Sequence, residues 1–224
     1  MTDYKTPYKE MIDYKTPYKG NVKGKDLAIE FARVNFGGKH IDSDDSVLDL
    51  GCGDGFLTDK IADICKRVVG VDKSESGIRY AENLVCKENC SFMLGSAADL
   101  PLKDDTFDVV TLFEVIEHIN ENSIGKFVSE VKRVLRDKGK VIITTPNPDN
   151  LLNRILGREK VVGNHKREYQ PSEVKSIFGD LKMIDIVGIY LPIPPFHLFH
   201  KKMFEFIYKR LISWGEAYQS RRSS

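Results

Sequence analysis

The sequence predicts an α/β fold in which helices cover both faces of a doubly wound, mostly parallel sheet. Short apolar runs rich in valine and isoleucine alternate with segments of helical period, which is typical of a parallel sheet buried on both faces. A glycine-rich turn, residues 51–55, lies directly between the first apolar run and the next helical segment. Asp72 ends the second run. Together these features predict a ligand crevice at the carboxyl ends of the strands.

The first predicted element is a helix over residues 24–35, GKDLAIEFARVN. Apolar residues such as Leu27 and Phe31 recur there at helical spacing, and the sequence FGG predicts its end. The alternation of strands and helices begins after it. We predict strands at 46–50, 67–71, 90–94, 107–113 and 140–145, with helices near 56–65, 76–85 and 122–136.

The two ends of the chain are less regular. Residues 1–22 contain DYKTPYK twice, at 3–9 and 13–19, and we interpret them as an arm because two short copies cannot build a repeat fold. We expect residues 23–224 to form one domain. Towards its end we predict a short helix near 171–178 and a strand at 181–191. An amphipathic lid helix should follow at about 190–214, covering the pocket or contacting a membrane surface.

The composition is that of a folded globular protein, with 41% hydrophobic and 30% charged residues. The sequence has no apolar run of about 20 residues and no apolar signal segment, so we expect a cytoplasmic protein without a transmembrane segment. The four cysteines lack the spacing of a disulfide framework. The centre of the chain is acidic and its ends are mildly basic, which argues against a general nucleic-acid-binding surface.

The glycine-rich turn occurs in VLDLGCGDGFLT. A dinucleotide site would have the pattern G-x-G-x-x-G, but here Phe56 takes the position of the third glycine. The turn therefore favours a ligand without a pyrophosphate. Asp72 lies 21 residues after Gly51, at the end of the second predicted strand. A carboxylate at this position can accept hydrogen bonds from both ribose hydroxyls.

Four stretches carry a resemblance to a known family: VLDLGCGDG, GVDKS, GSAADLPLKDDTFDVVTLFEVIEHI and VLRDKGKVIITTPN. In this order they resemble the motifs of Rossmann-like (class I) S-adenosylmethionine-dependent methyltransferases, over residues 45–148. The resemblance implies S-adenosylmethionine as cofactor and a set of contacts to it. These residues are Asp49, Gly51, Cys52, Gly53, Gly55, Asp72, Lys73, Ser96, Ala97, Ala98, Phe113 and Glu114.

The resemblance also implies a role for each group. Asp49 and the glycine-rich turn would flank the methionine part, and Asp72 would hold the ribose with Lys73 beside the adenine. Residues 96–98 would meet the adenine. Phe113 and Glu114 would border the reacting sulfonium. Many relatives have GDA where this chain has GSA, so an acidic contact to the adenine amine is not implied.

The stretch EVIEH places Glu114, Glu117 and His118 at i, i+3 and i+4, on one face if the turn is helical. It resembles the ubiquinone-pathway O-methyltransferases and the small-RNA 3′-terminal ribose methyltransferases, in which the corresponding residues are thought to bind a divalent metal. In the RNA family a second histidine follows, and His165 in NHKREY has the matching place. Such ligands suit Mg²⁺, Mn²⁺, Fe²⁺ or Zn²⁺. Without a metal, Glu114 would serve cofactor binding, Glu117 would be a catalytic group or a surface charge, and His118 would be a base, a pocket group or a structural residue.

The sequence thus predicts a methyltransferase that acts on an oxygen atom of a small-molecule or lipid-linked acceptor. The first alternative is a metal-dependent RNA ribose 2′-O-methyltransferase. The match of His165 favours this alternative, whereas the acidic centre of the chain argues against it. The second alternative is a non-catalytic cofactor-binding protein.

Overall fold

The computed structural model describes residues 32–146, 148 and 165–188. Five parallel strands form one sheet in the order β3-β2-β1-β4-β5. Helical residues 32–38 precede the sheet, and two 3₁₀ turns, Ile116–His118 and Glu121–Ser123, follow β4. The other elements are β1 (Ser46–Leu50), α1 (Phe56–Ala62), β2 (Arg67–Asp72), α2 (Glu75–Leu84), β3 (Cys90–Leu94), β4 (Phe107–Phe113), α3 (Ile124–Val134), β5 (Leu135–Thr144) and α4 (Pro171–Ile177).

Side chains from the sheet enter two separate hydrophobic clusters, one on each face. In β1, Val47 packs into the cluster that contains Ile61 of α1, whereas the next residue, Leu48, packs into the cluster that contains Phe127 of α3. Successive side chains of a strand point to opposite faces, so both faces of β1 are covered. The predicted doubly wound α/β fold is therefore confirmed.

The order of the strands places a crevice at one edge of the sheet. β1 pairs with β2 on one side and with β4 on the other. The connections that leave the carboxyl ends of β1 and β4 therefore diverge, and a doubly wound sheet binds its ligand where they do so. The glycine-rich turn and the EVIEH stretch both lie at this edge.

The first helix ends within the FGG sequence that was predicted to end it, at residue 38 rather than near residue 35. Gly37 does not end the helix: a Cβ there would lie 3.1 Å from Cζ of Phe113, so the glycine allows close packing on β4. β5 begins at Leu135, which pairs with Phe107 ahead of an irregularity in the β4–β5 register, rather than at the predicted residue 140.

The strand predicted at 181–191 is not formed in its described part, since residues 182–188 adopt neither helix nor strand. The chain divides into compact units after Asp185, and of the second unit only residues 186–188 are described. The predicted arm (1–22) and lid helix (190–214) lie outside the described residues. Among the described helices, none has the length and apolar character needed to cross a membrane.

Candidate active site

The glycine-rich turn is fastened to the end of β2 through the carboxylate of Asp72. One carboxylate oxygen accepts a hydrogen bond from the backbone N–H of Gly53 (3.0 Å), and the other accepts one from the N–H of Ser74 (2.8 Å). The N–H groups of Gly51 and Cys52 both point to the carbonyl of Val71, at 2.7 and 3.2 Å. Three positive φ angles, at residues 51, 53 and 55, shape this turn. Hydrogen bonds within the protein therefore hold the turn in its shape.

Two other predicted residues of this region have clear surroundings. The Cys52 side chain is buried, and desolvation, reinforced by the charge of Asp49, raises the pKa of its thiol. Lys73, directly after Asp72, is exposed at the edge of the crevice. The turn thus offers backbone groups and carboxylate oxygens to a ligand, and no thiolate.

Asp49 is 2% exposed, so its side chain is enclosed by protein. Its two oxygens accept hydrogen bonds from the hydroxyls of Thr58 (2.6 Å) and Thr111 (2.8 Å). These threonines belong to α1, which follows the turn, and to β4, which pairs with β1. The side chain therefore ties three elements together beneath the glycine-rich turn.

Residues 96–98 follow β3 in a loop that α3 holds in place. The hydroxyl of Ser96 accepts a weak hydrogen bond from the N–H of Ala98 (3.3 Å). Further along the loop, Glu130 accepts from the N–H of Leu100, while Arg133 donates to the carbonyls of residues 100 and 102. Arg133 and Glu130 also form an ion pair (2.8 Å). This pair fixes the loop that begins with the predicted adenine contacts.

The carboxylate of Glu114, directly after β4, contacts both the helix at residues 32–38 and β5. Glu114 has φ of 55°, forms an ion pair with Arg33 (3.1 Å) and accepts a hydrogen bond from the hydroxyl of Thr144 (3.0 Å). The preceding Phe113 is 7% exposed and packs in the core. Glu114 is in the left-handed conformation and lies outside the 3₁₀ turn that begins at Ile116. The condition for a common helical face of EVIEH is therefore not met.

Glu117, His118 and His165 converge just beyond this point. One potential ligand atom from each residue lies within 4.8 Å of the others, and the two imidazole rings make an edge contact with centroids 5.0 Å apart. The structure thus brings together three of the four residues predicted as metal ligands. The fourth, Glu114, is engaged with Arg33 and is outside this group.

Glu117 is fully buried yet incompletely satisfied. Its Oε2 accepts a hydrogen bond from Thr145 (3.3 Å), but its Oε1 meets no donor among the described residues. Burial, followed by the charge of Glu114, raises the pKa of this carboxyl to about 7. A buried carboxylate oxygen without a partner is costly, so the group is suited to a proton or a cation.

Two residues that shape the site, Arg33 and Glu168, were not predicted from the sequence. Arg33 reaches Glu114 across 81 positions of sequence, and no local pattern indicates such a contact. Glu168 accepts or shares a hydrogen bond at Nδ1 of His165 (3.1 Å). Its position three residues after His165 is a signal, because histidine ligands commonly contact a carboxylate through their second nitrogen.

This chain resembles known methyltransferases. Residues 48–143 match the family described as "Methyltransferase domain". The chain is 33% identical over 141 residues to a probable S-adenosylmethionine-dependent methyltransferase of Mycobacterium tuberculosis, covering 62% of this chain and 49% of that protein. It is 32% identical over 156 residues to a ubiquinone biosynthesis O-methyltransferase of Mesorhizobium japonicum, covering 64% and 62%.

Solved structures agree with this result. The PH0226 protein of Pyrococcus horikoshii is 29% identical with a TM-score of 0.55, over 66% of this chain and 71% of that one. The YcgJ protein of Bacillus subtilis is 27% identical with a TM-score of 0.55, over 66% and 67%. The chain spans about half the length of the mycobacterial relatives that it matches. The sheet, the motifs and these matches together support a Rossmann-like (class I) S-adenosylmethionine-dependent methyltransferase, with the methyltransferase domain at residues 48–143.

Proposed function

We propose that the protein transfers a methyl group from S-adenosylmethionine to an oxygen atom of a small-molecule or lipid-linked acceptor. The observation that carries this proposal is that the glycine-rich turn bonded to Asp72 lies at the same edge of the sheet as the stretch whose Glu117 and His118 meet His165. Relatives named as ubiquinone biosynthesis O-methyltransferases support an oxygen acceptor.

The cofactor contacts follow from the shape of the turn. Each oxygen of Asp72 accepts one backbone hydrogen bond and keeps lone-pair capacity, so the carboxylate remains able to receive the ribose hydroxyls. The exposed Lys73 would lie beside the adenine. The full set that we propose for the cofactor is Gly51, Cys52, Gly53, Gly55, Asp72, Lys73, Ser96, Ala97, Ala98, Phe113 and Glu114, with Asp49 beneath them.

For Asp49 we propose a supporting role beneath the methionine part of the cofactor. Both of its oxygens are occupied by threonine hydroxyls, and the side chain is enclosed. We assign it the task of fixing the turn rather than touching the methionine part. Phe113 is likewise buried, so its contribution at the sulfonium would come from its backbone.

Bound S-adenosylmethionine would supply a methyl group on a positively charged sulfur. The chain must hold the acceptor oxygen in line with that group, at roughly 3–3.5 Å. A hydroxyl acceptor must also lose its proton. We propose Glu117 and His118 as the catalytic groups that orient the hydroxyl and promote the loss of this proton, because they lie just beyond the end of β4.

We further propose that Glu117, His118 and His165 hold a divalent cation. One carboxylate and two imidazoles are a donor set that suits Mn²⁺, Fe²⁺ or Zn²⁺, and Mg²⁺ would rely more on the carboxylate. The buried Oε1 of Glu117, which meets no donor in the described part of the chain, supports the fit. A cation there would lower the pKa of a bound acceptor hydroxyl.

The cofactor assignment is tested by calorimetry with S-adenosylhomocysteine. We expect Asp72→Asn to weaken binding at least tenfold, because the amide removes the charge and one acceptor. Glu82→Gln is the matched control, since Glu82 is exposed on α2 and remote in sequence from the turn. Wild-type protein that does not bind, or Asp72→Asn that binds normally, would remove the assignment.

The metal assignment is tested by treating the protein with a chelator and restoring single ions. We expect methyl transfer to stop and to return with one divalent ion, and Glu117→Gln to prevent the return. Activity that is indifferent to the chelator would exclude the cation and leave His118 and Glu117 as the acid–base groups.

A second candidate function is methylation of an RNA 3′-terminal ribose. The closeness of His165 to Glu117 and His118 favours it, because the RNA-methylating family is the one whose pattern includes that histidine. The test compares label transfer to a short RNA with that to the same RNA ending in a 2′-deoxynucleotide. Absence of label on both would exclude this function.

A further inference from the structure

We propose that Glu168 is a positioning residue that holds His165 in the tautomer whose Nε2 is free of hydrogen, so that this nitrogen can join Glu117 and His118. The inference rests on the proposed cation site and adds a residue to it. The carboxylate lies 3.1 Å from Nδ1 of His165, and its side chain is only 5% exposed. The contact is therefore largely shielded from competing water.

The tautomer follows from the chemistry of the two partners. An ionised carboxylate can only accept hydrogen bonds, so Nδ1 of His165 must carry the hydrogen in a contact with Glu168. In a neutral imidazole the other nitrogen, Nε2, then carries the lone pair. A metal ion or a proton can bind only to that lone pair. The Glu168 contact thus decides which nitrogen is presented.

The backbone around His165 is held by other groups. The N–H groups of Lys166 and Arg167 donate to the carbonyl of Glu117, at 2.7 and 3.3 Å. The guanidinium of Arg167 also pairs with Glu121 (2.7 Å). The segment therefore stays against the 3₁₀ turn without help from Glu168. What Glu168 adds is the orientation and tautomer of one ring.

The adjacent ring makes this orientation consequential. His118 and His165 meet edge to face, with an angle of 78° between their planes. A change of tautomer in His165 would place the hydrogen on Nε2, the nitrogen that the proposal assigns to the cluster, and remove its lone pair. Loss of Glu168 should therefore weaken cation binding even though Glu117, His118 and His165 all remain. Loss of such an outer carboxylate typically weakens metal binding about 10–100-fold.

The first readout is the tautomer of His165 in the metal-free protein, measured by ¹⁵N NMR of the imidazole nitrogens. The His165→Gln variant identifies the signals by their disappearance. We expect the Nδ1–H tautomer in the wild type, a share of the Nε2–H tautomer in Glu168→Gln, and a larger share in Glu168→Leu. A wild-type ring in the Nε2–H form, or variants with unchanged populations, would overturn the inference.

The second readout is the affinity for Mn²⁺ at constant pH, measured by calorimetry. We expect Glu168→Leu to bind about 10–100-fold more weakly. The control is Glu121→Gln, which removes the same charge from an exposed carboxylate that contacts Arg167 and not the ring. Affinity that falls equally in the control would contradict a specific role.

The two proposals fail separately. A wild type that binds neither Mn²⁺ nor Zn²⁺ would refute the cation site, whereas the tautomer measurement would still decide the role of Glu168. If Glu168→Leu does not fold, the wild-type tautomer and the nearly isosteric Glu168→Gln variant decide it.

Discussion

Replacing Gly53 and Gly55 by alanine should separate ligand binding from stability within a single turn. Both residues have positive φ, 55° and 80°. A Cβ on Gly55 would lie 2.7 Å from Cβ of Ala81 and 2.8 Å from the ring of Phe92. A Cβ on Gly53 would meet no atom of the described residues within 4 Å. The same substitution therefore enters packed protein at one position and the proposed cofactor crevice at the other.

The expected losses of stability follow from these surroundings. A left-handed conformation costs a residue other than glycine about 1–2 kcal/mol. Gly55→Ala adds overpacking against α2 and β3, which typically costs about 1–3 kcal/mol. We therefore expect Gly55→Ala to lower the free energy of unfolding by about 2–5 kcal/mol. Gly53→Ala should lower it by no more than about 2 kcal/mol.

The expected effects on binding run in the opposite order. The Cβ on Gly53 would occupy space next to the backbone N–H that Asp72 holds, where the proposed cofactor approaches closely. We expect Gly53→Ala to bind S-adenosylhomocysteine at least tenfold more weakly, a loss of about 1.4 kcal/mol. Under conditions where Gly55→Ala is folded, it should lose less affinity than Gly53→Ala.

Urea unfolding and calorimetry on the same preparations measure both quantities. Normal affinity in Gly53→Ala would refute the proposed approach of the cofactor to this turn. Normal stability in Gly55→Ala would refute the packing argument, because the methyl group has no space unless Phe92 and α2 move.

Three further substitutions test the rest of the fold. Hydrogen bonds from Arg133 and from a backbone N–H hold the pKa of Glu130 at about 2, below its ordinary 4.5. Its ionised form therefore stabilises the fold above pH 4.5, and that contribution disappears as the pH falls through about 2. In urea unfolding, Glu130→Gln should have a free energy of unfolding about 1–3 kcal/mol below that of the wild type at pH 7, and this difference should shrink below pH 4. A difference that does not change with pH would contradict this. Phe127→Ala should lower the free energy of unfolding by about 3–5 kcal/mol in the same assay, because the ring is 0% exposed. A decrease of less than about 1 kcal/mol would contradict its core position. Lys87→Met should lose less than about 1 kcal/mol, since its ion pair with Asp59 is partly solvated, and a larger loss would show an unrecognised role.

The fold was predictable because its signals are local and repeated. Strands 46–50, 90–94 and 107–113 were predicted with the bounds that the structure has. Each is a short apolar run between turn residues, and in β1 and β4 burial on both faces leaves little freedom in the register. The start of β5 was not predictable in this way, since Leu135 joins the sheet by pairing with Phe107 across an irregular register.

Alternation alone did not suffice for residues 181–191. Met183 and Ile184 fit the pattern of a strand, yet they are 40% and 73% exposed and the described residues 182–188 pair with no strand. A strand is defined by the neighbour to which it hydrogen-bonds, and the sequence of one segment does not contain that neighbour. The pattern therefore indicated a side-chain preference rather than an element.

The parts of the site that match a family motif were predictable from the sequence. The arrangement of EVIEH was not, because it depends on one backbone angle. The i, i+3, i+4 spacing of EVIEH assumes one continuous helical turn, but the positive φ of Glu114 separates it from Glu117 and His118. Glu114 then meets Arg33, whose positive charge balances it at the end of β4, while Glu117 stays buried beside His165. Five adjacent residues are thus divided between two neighbouring groups. We therefore expect Glu114 to affect cofactor affinity and Glu117 to affect cation affinity, although the two carboxylates are only three positions apart.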